Sequence, residues 1–191
     1  DLLDDGDIAY SIITAAATSA DVTYNGVNAA DVTVTNTDDD AVGITVTPTT
    51  GLTTTEAGGT ATFTVVLNTQ PTADVIIGLS SSDATEGTVL PASVTFTSAN
   101  WNVAQTVTVT GVDDNVDDRD VDYSIVTAAA TSSDANYNGL NAADVAVINV
   151  DNDTAGITVS VISGNTTEAG GAATFTVVLN SQPTADVTIG I

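Results

Sequence analysis

The chain has 191 residues, 42% of them hydrophobic, and sets 25 acidic residues against a single basic one for a formal net charge of −24. That balance argues against nucleic acid and anionic membrane surfaces, whose binding draws on Lys and Arg, while the apolar content is too high for disorder by charge alone. With no Cys, His, Met or Lys, disulfides are impossible and the commonest bases and nucleophiles are missing, so no enzyme is expected.

Taken in order, the chain alternates with the period of strands. Ile44 and Val46 open the first clear run after an acidic triplet, and Gly51–Glu56 is expected to be a loop. Ala61, Phe63, Val65 and Leu67 then alternate with Thr60, Thr62 and Thr64, followed by Val75, Ile77 and Leu79. Val94 and Phe96, Val107 and Val109, Val121 with Tyr123 and Ile125, and Val145 with Val147 complete the set. Turn residues separate them at Ala57-Gly58-Gly59, Gln70-Pro71, Glu86-Gly87, Leu90-Pro91 and Asn138-Gly139. No segment has a helical period, and no apolar run approaches the ~18 residues that span a bilayer. About seven short strands in about 110 residues predict an all-β fold, an antiparallel β-sandwich.

The strands belong to a repeat. Tyr10-Ser11-Ile12 recurs as Tyr123-Ser124-Ile125, Thr14–Asp31 as Thr127–Asp144, and Gly43–Val46 as Gly156–Val159, each 113 residues on. Thr55–Gly59 returns as Thr167–Gly171 after 112, so one residue is lost in the segment before it. The expected organisation is the C-terminal part of a preceding repeat at 1–40, a complete repeat at 41–153, and the N-terminal part of a following one at 154–191. Both ends fall in mid-repeat, which suggests a section of a longer tandem array.

One stretch, Val112–Asp122, gathers six carboxylates together with Arg119, the only cation in the chain. Two carboxylates about 4–5 Å apart repel by roughly 3–4 kcal/mol at an effective dielectric near 20. Either these side chains splay into water or they share a cation. Oxygen ligands without Cys or His point to a hard ion, Ca²⁺ before Mg²⁺. Strand ends collect at the two poles of a sandwich, so Asp113–Asp118, Asp151–Asp153, Glu56 and Asp83 are expected to meet at one pole. Only Thr154, Ala155 and Gly156 separate that pole from the next repeat's Ile157. Three extended residues reach ~10 Å, so neighbouring sandwiches nearly touch there, and Gly156 is expected to hinge when no cation is bound.

Thr55–Gly59 with Phe63-Thr64-Val65, Ser82–Val89, Val112-Asp113-Asp114 and Asn149–Gly156 together resemble a Calx-beta domain, over the complete repeat and both partial ones. Such modules occur in sodium–calcium exchangers and in long arrays in large secreted bacterial surface proteins. The resemblance implies tandem immunoglobulin-like sandwiches of seven strands, each with Ca²⁺ at one pole, held by Glu56, Asp83, Asp113, Asp114, Asp118, Asp151 and Asp153 with the carbonyl of Val116. In the partial copies it implies Asp38, Asp39, Asp40 and Glu168. Two positions depart from the family pattern: Asp118 stands where Glu is common, and Asn152 replaces the middle Asp of the closing triplet, its amide oxygen still counted among the expected ligands.

Asp134–Gly139 has the spacing of half an EF-hand loop but lacks the Glu at its twelfth position, so an Asx-rich turn is expected. Threonine rows are read as outward strand faces, and Trp101 as a core or edge anchor. The expected role is a calcium-stiffened stalk or filament segment of an extracellular or cell-surface adhesion protein. Its partners would be neighbouring repeats and like chains. The alternative is a binding module that recognises a glycan or another cell surface through its loops.

Overall fold

A computed structural model describes residues 1–191 as an all-β chain of fourteen strands. Two of them, β1 (Ile8–Ile12) and β2 (Val32–Asn36), pair into an antiparallel ribbon near the N-terminus. The central sandwich follows: β3 (Ile44–Thr47), β4 (Leu52–Thr55), β5 (Thr60–Leu67), β6 (Val75–Ser81) and β7 (Gly87–Leu90). It continues with β8 (Ser93–Phe96), β9 (Gln105–Gly111), β10 (Val121–Thr127), β11 (Thr131–Ser132) and β12 (Val145–Val150). A last pair, β13 (Ile157–Val159) and β14 (Val177–Leu179), stands beyond it.

Two sheets face each other. One has the order β3-β5-β9-β7; the other runs β4-β12-β10-β6, with β8 and β11 also paired to β6. Alternation decides which side chains lie between them: β5 buries Phe63, Val65 and Leu67 and turns its threonines outward. From the opposite sheet Ile77, Ile125, Val145 and Val147 close the core, at about 1.5–3 kcal/mol for each large apolar side chain buried. Trp101 packs half-buried against its edge.

The segment expected to be a loop at Gly51–Glu56 contains a strand instead. Leu52 and Thr54 face inward and are buried, and β4 pairs in parallel with β12, Leu52 opposite Val147 and Thr55 opposite Val150. The first strand of the sandwich is therefore split, β3 in one sheet and β4 in the other. A four-residue, threonine-rich strand carries too short an alternation to be recognised. The same holds for β7, bracketed by turn residues on both sides.

Gly156 is tied to Asn180, one step beyond the β13–β14 pair. Its carbonyl accepts the Asn180 N–H at 2.9 Å, and a Cβ there would fall 2.6 Å from Asn180 Nδ2. Gly43 packs in the same manner on Asn68, whose N–H donates to the Gly43 carbonyl at 2.9 Å. At both glycines a Cβ would displace the end of an asparagine side chain.

Candidate metal centre

Glu56 follows β4 directly, and its N–H donates to the Val150 carbonyl at the end of β12 at 3.1 Å. This extension of the parallel pair carries the Glu56 side chain into the pole, where it is 2% exposed. The loop between β9 and β10 brings Asp118, and the end of β12 brings Asp151. Carboxylate oxygens of Glu56, Asp118 and Asp151 lie within 4.8 Å of one another. Glu56 Oε2 accepts the Asn152 N–H at 3.0 Å, and Asp151 Oδ1 accepts the Asp153 N–H at 2.7 Å. The other Asp151 oxygen accepts the Arg119 N–H at 2.9 Å.

Electrostatics at this pole follow from crowding. Burial pushes the Glu56 carboxyl above its ordinary value, and Asp151 and Asp114 push it the same way. Desolvation and then Asp114 and Asp151 raise Asp118; desolvation and then Asp151, Asp113 and Asp114 raise Asp153. The N–H of Asp153 and that of Arg119 hold Asp151 low. Two chemical solutions exist for such a cluster. It can take up a proton, on Glu56 with Asp151 accepting, or it can take a cation.

The other expected residues are placed unevenly. Asp114 Oδ1 accepts the Val116 N–H at 2.6 Å and belongs to the same electrostatic group. Asp113 sits one step out, its Oδ1 accepting from the Asn152 side-chain amide at 3.1 Å. The Val116 carbonyl accepts the Asp118 N–H at 3.0 Å. Asp83 lies exposed in the β6–β7 loop with its carboxylate turned onto the N–H and hydroxyl of Thr85, outside the gathered oxygens. Asp38, Asp39 and Asp40 form a second trio within 4.8 Å. Glu168 is exposed in the Thr167–Gly171 turn and belongs to neither group.

Glu86 was missed. It is 6% exposed, pushed up by burial and then by Asp118, Asp83 and Asp114, and receives the Asn149 side-chain amide at 3.3 Å. Asn149 also binds the Val112 carbonyl at 3.1 Å and accepts the Thr54 hydroxyl, which shares a hydrogen bond with Tyr123. This buried polar network floors the pole. It ties β4, β10 and β12 to the acidic loop that follows β9.

The Asp134 loop is no second centre. Its carboxylate accepts the N–H groups of Thr72 at 2.7 Å and Asn136 at 2.9 Å. The Asn136 bond closes the turn and the Thr72 bond fixes it to the β5–β6 connection, so the anion is satisfied by backbone N–H groups.

Hard oxygen donors, close spacing, a buried carboxyl and no cationic side chain at hand fit a divalent ion of the calcium type. Glu56, Asp118 and Asp151 would hold it, with Asp114 and Asp153 beside them.

No family model matches the chain, and no curated protein matches it either. Among solved structures it is similar to the periplasmic chaperone SfaE, with TM-score 0.46 and 11% identity over 58% of this chain and 58% of that one. It is similar to the apo form of the Calx CBD1 domain, with TM-score 0.41 and 15% identity over 58% and 96%. Domains 4 and 5 of the S-layer protein SbsC give TM-score 0.35 and 20% identity over 64% and 58%. The chain thus spans 58% of the length of SfaE. None of these likenesses assigns a ligand or a partner.

Proposed function

We propose that this chain is a structural segment of an extracellular surface protein, built from tandem sandwiches whose acidic poles bind Ca²⁺. The repeat boundaries of this reading are 41–153 for the complete unit and 1–40 and 154–191 for its neighbours. The observation that carries it is the meeting of Glu56, Asp118 and Asp151 within 4.8 Å, one of them buried and none paired with a basic side chain. Two or three like charges at that spacing cost several kcal/mol unless a cation or proton joins them. The all-oxygen donor set selects a hard ion. The resemblance to Calx-beta modules and the repetition of the acidic triplet at Asp38–Asp40 support the same reading. Bound there, the ion would tie the end of β12, where the linker to the next unit begins, to the preceding sandwich.

Extracellular calcium modules bind with constants of about 10⁻⁴–10⁻³ M. At about 100 times such a constant, linkage adds roughly 2.7 kcal/mol, on the order of 10 °C in midpoint for a unit of this size. The test is thermal melting of the 191-residue chain in EDTA and in about 10 mM calcium. A rise in midpoint that Glu56→Gln and Asp118→Asn both remove is expected. Identical midpoints in the two buffers would sink the calcium reading.

A further inference from the structure

One set of contacts is built twice in this molecule, once at each end of the central sandwich. Asp117 Oδ2 accepts the N–H of the linker residue Ala155 at 2.6 Å, and the Asn115 carbonyl accepts the N–H of Gln182, beyond β14, at 2.6 Å. At the other end Asp4 Oδ2 accepts the N–H of Val42 at 2.8 Å, and the Leu2 carbonyl accepts the N–H of Gln70 at 2.8 Å. Asp4 and Leu2 correspond to Asp117 and Asn115 by the 113-residue repeat. The local scaffold is also reproduced. Gly6 N–H reaches Asp38 at 2.7 Å as Arg119 N–H reaches Asp151 at 2.9 Å. The N–H of Asp38 reaches Asp7 at 3.0 Å as that of Asp151 reaches Asp120 at 3.2 Å.

Side chains around these bonds differ between the copies: Leu2 against Asn115, Gly6 against Arg119, Val42 against Ala155. The bonds persist because they use only backbone groups and one aspartate. At the first end a third bond joins them, from the Asn136 side-chain amide to the Asp4 carbonyl at 2.8 Å. The loops preceding β1 and β10 therefore each reach the linker and the residue corresponding to Gln70 in the unit that follows, and the loop preceding β1 also meets the Asp134 loop.

We propose that each of these loops is a docking key and that the following unit carries its lock, so successive repeats join through a metal-free clamp of fixed geometry centred on Asp4 and Asp117. The partner is the next repeat of the same chain. The proposal rests on the tandem-repeat reading but not on the cation, since neither Asp4 nor Asp117 is among the carboxylates gathered around Glu56. An array joined this way is a regular superhelix, with every junction alike.

Amide hydrogen exchange read by NMR on the whole chain in EDTA tests it directly. The N–H groups of Val42, Gln70, Ala155 and Gln182 should be protected. Asp117→Ala should speed exchange at Ala155 and Gln182 by roughly tenfold or more and leave Val42, Gln70 and the core amides of Val65 and Val109 unchanged. Asp117→Asn, which keeps an acceptor oxygen, should restore protection at Ala155. Unprotected junction amides in the wild type, or Asp117→Ala without effect at Gln182, would overturn the clamp. The calcium-dependent melting shift is a separate readout: its absence with protected junctions removes the metal and leaves the clamp standing.

Discussion

Arg119 is the only cation of the chain and the only non-glycine residue with a left-handed backbone, at φ 72°. Its repeat counterpart is Gly6, at φ 74°. The conformation aims the N–H of residue 119 at Asp151, so the pole uses the backbone of this residue, and the repeat supplies glycine where no side chain is wanted. Left-handed geometry costs a non-glycine residue on the order of 1–2 kcal/mol. Arg119→Gly is therefore expected to leave the fold unchanged and to stabilise it by up to about 1 kcal/mol in denaturant titration, the entropy of glycine in the unfolded chain offsetting part of the gain. Glu56 was legible in the sequence because Thr-Glu-Ala-Gly-Gly occurs twice. Glu86 was not, because the stretch around it has no second copy in the chain and its neighbour turn residues pointed to a bare turn. Burial beside Asn149 and Asp118 is a tertiary fact that no local pattern announces.

At the scale of elements, the Asp134 loop separates local from long-range encoding. Its earlier copy closes with the same bonds: Gly26 N–H to the Ala17 carbonyl at 2.8 Å, as Gly139 N–H to that of Ala130 at 2.8 Å. In the complete copy Tyr137 is 1% exposed and bonds Thr69. The turn is thus written in the sequence, and its docking depends on Thr69 and Thr72 across the sandwich. Burial pushes the Asp134 carboxyl up, but the N–H groups of Thr72, Asn136 and Tyr137 outweigh it and hold it below the usual range. Asp134→Ala leaves those donors unpaired and should cost about 2–3 kcal/mol near neutral pH. A carboxyl with a depressed folded value contributes its stability above the ordinary carboxylate range and loses it as pH falls through the depressed value. Wild-type and variant stabilities measured by denaturant titration should therefore converge in acid; a gap that stays constant down to about pH 2 would contradict the anionic role. The strands with clean alternation, β5, β6, β9, β10 and β12, were all readable. The short β4 was not, because its strand character comes from the β12 edge it joins.

For the molecule as a whole, the split first strand matters most. The chain enters the sandwich through β3 and β4 and leaves it through β12, and β4 runs parallel to β12. Four residue pairs join them, flanked by Ala146 N–H on the Thr49 carbonyl at 2.9 Å and Glu56 N–H on the Val150 carbonyl at 3.1 Å. Tension applied along the chain draws the two strands in opposite directions along their own axes. Their hydrogen bonds lie across that direction, so they are sheared together and not peeled one after another. Single-molecule pulling between Ala41 and Thr154 should need markedly higher force than pulling between Asp122 and Ile148, a facing pair that unzips β10 from β12. Similar forces for the two geometries would remove the shear argument. In the tandem array proposed above, each unit would be a mechanical fuse placed in series. The parallel edge that joins β4 to β12 would then set how much load such an array carries before its first unit opens.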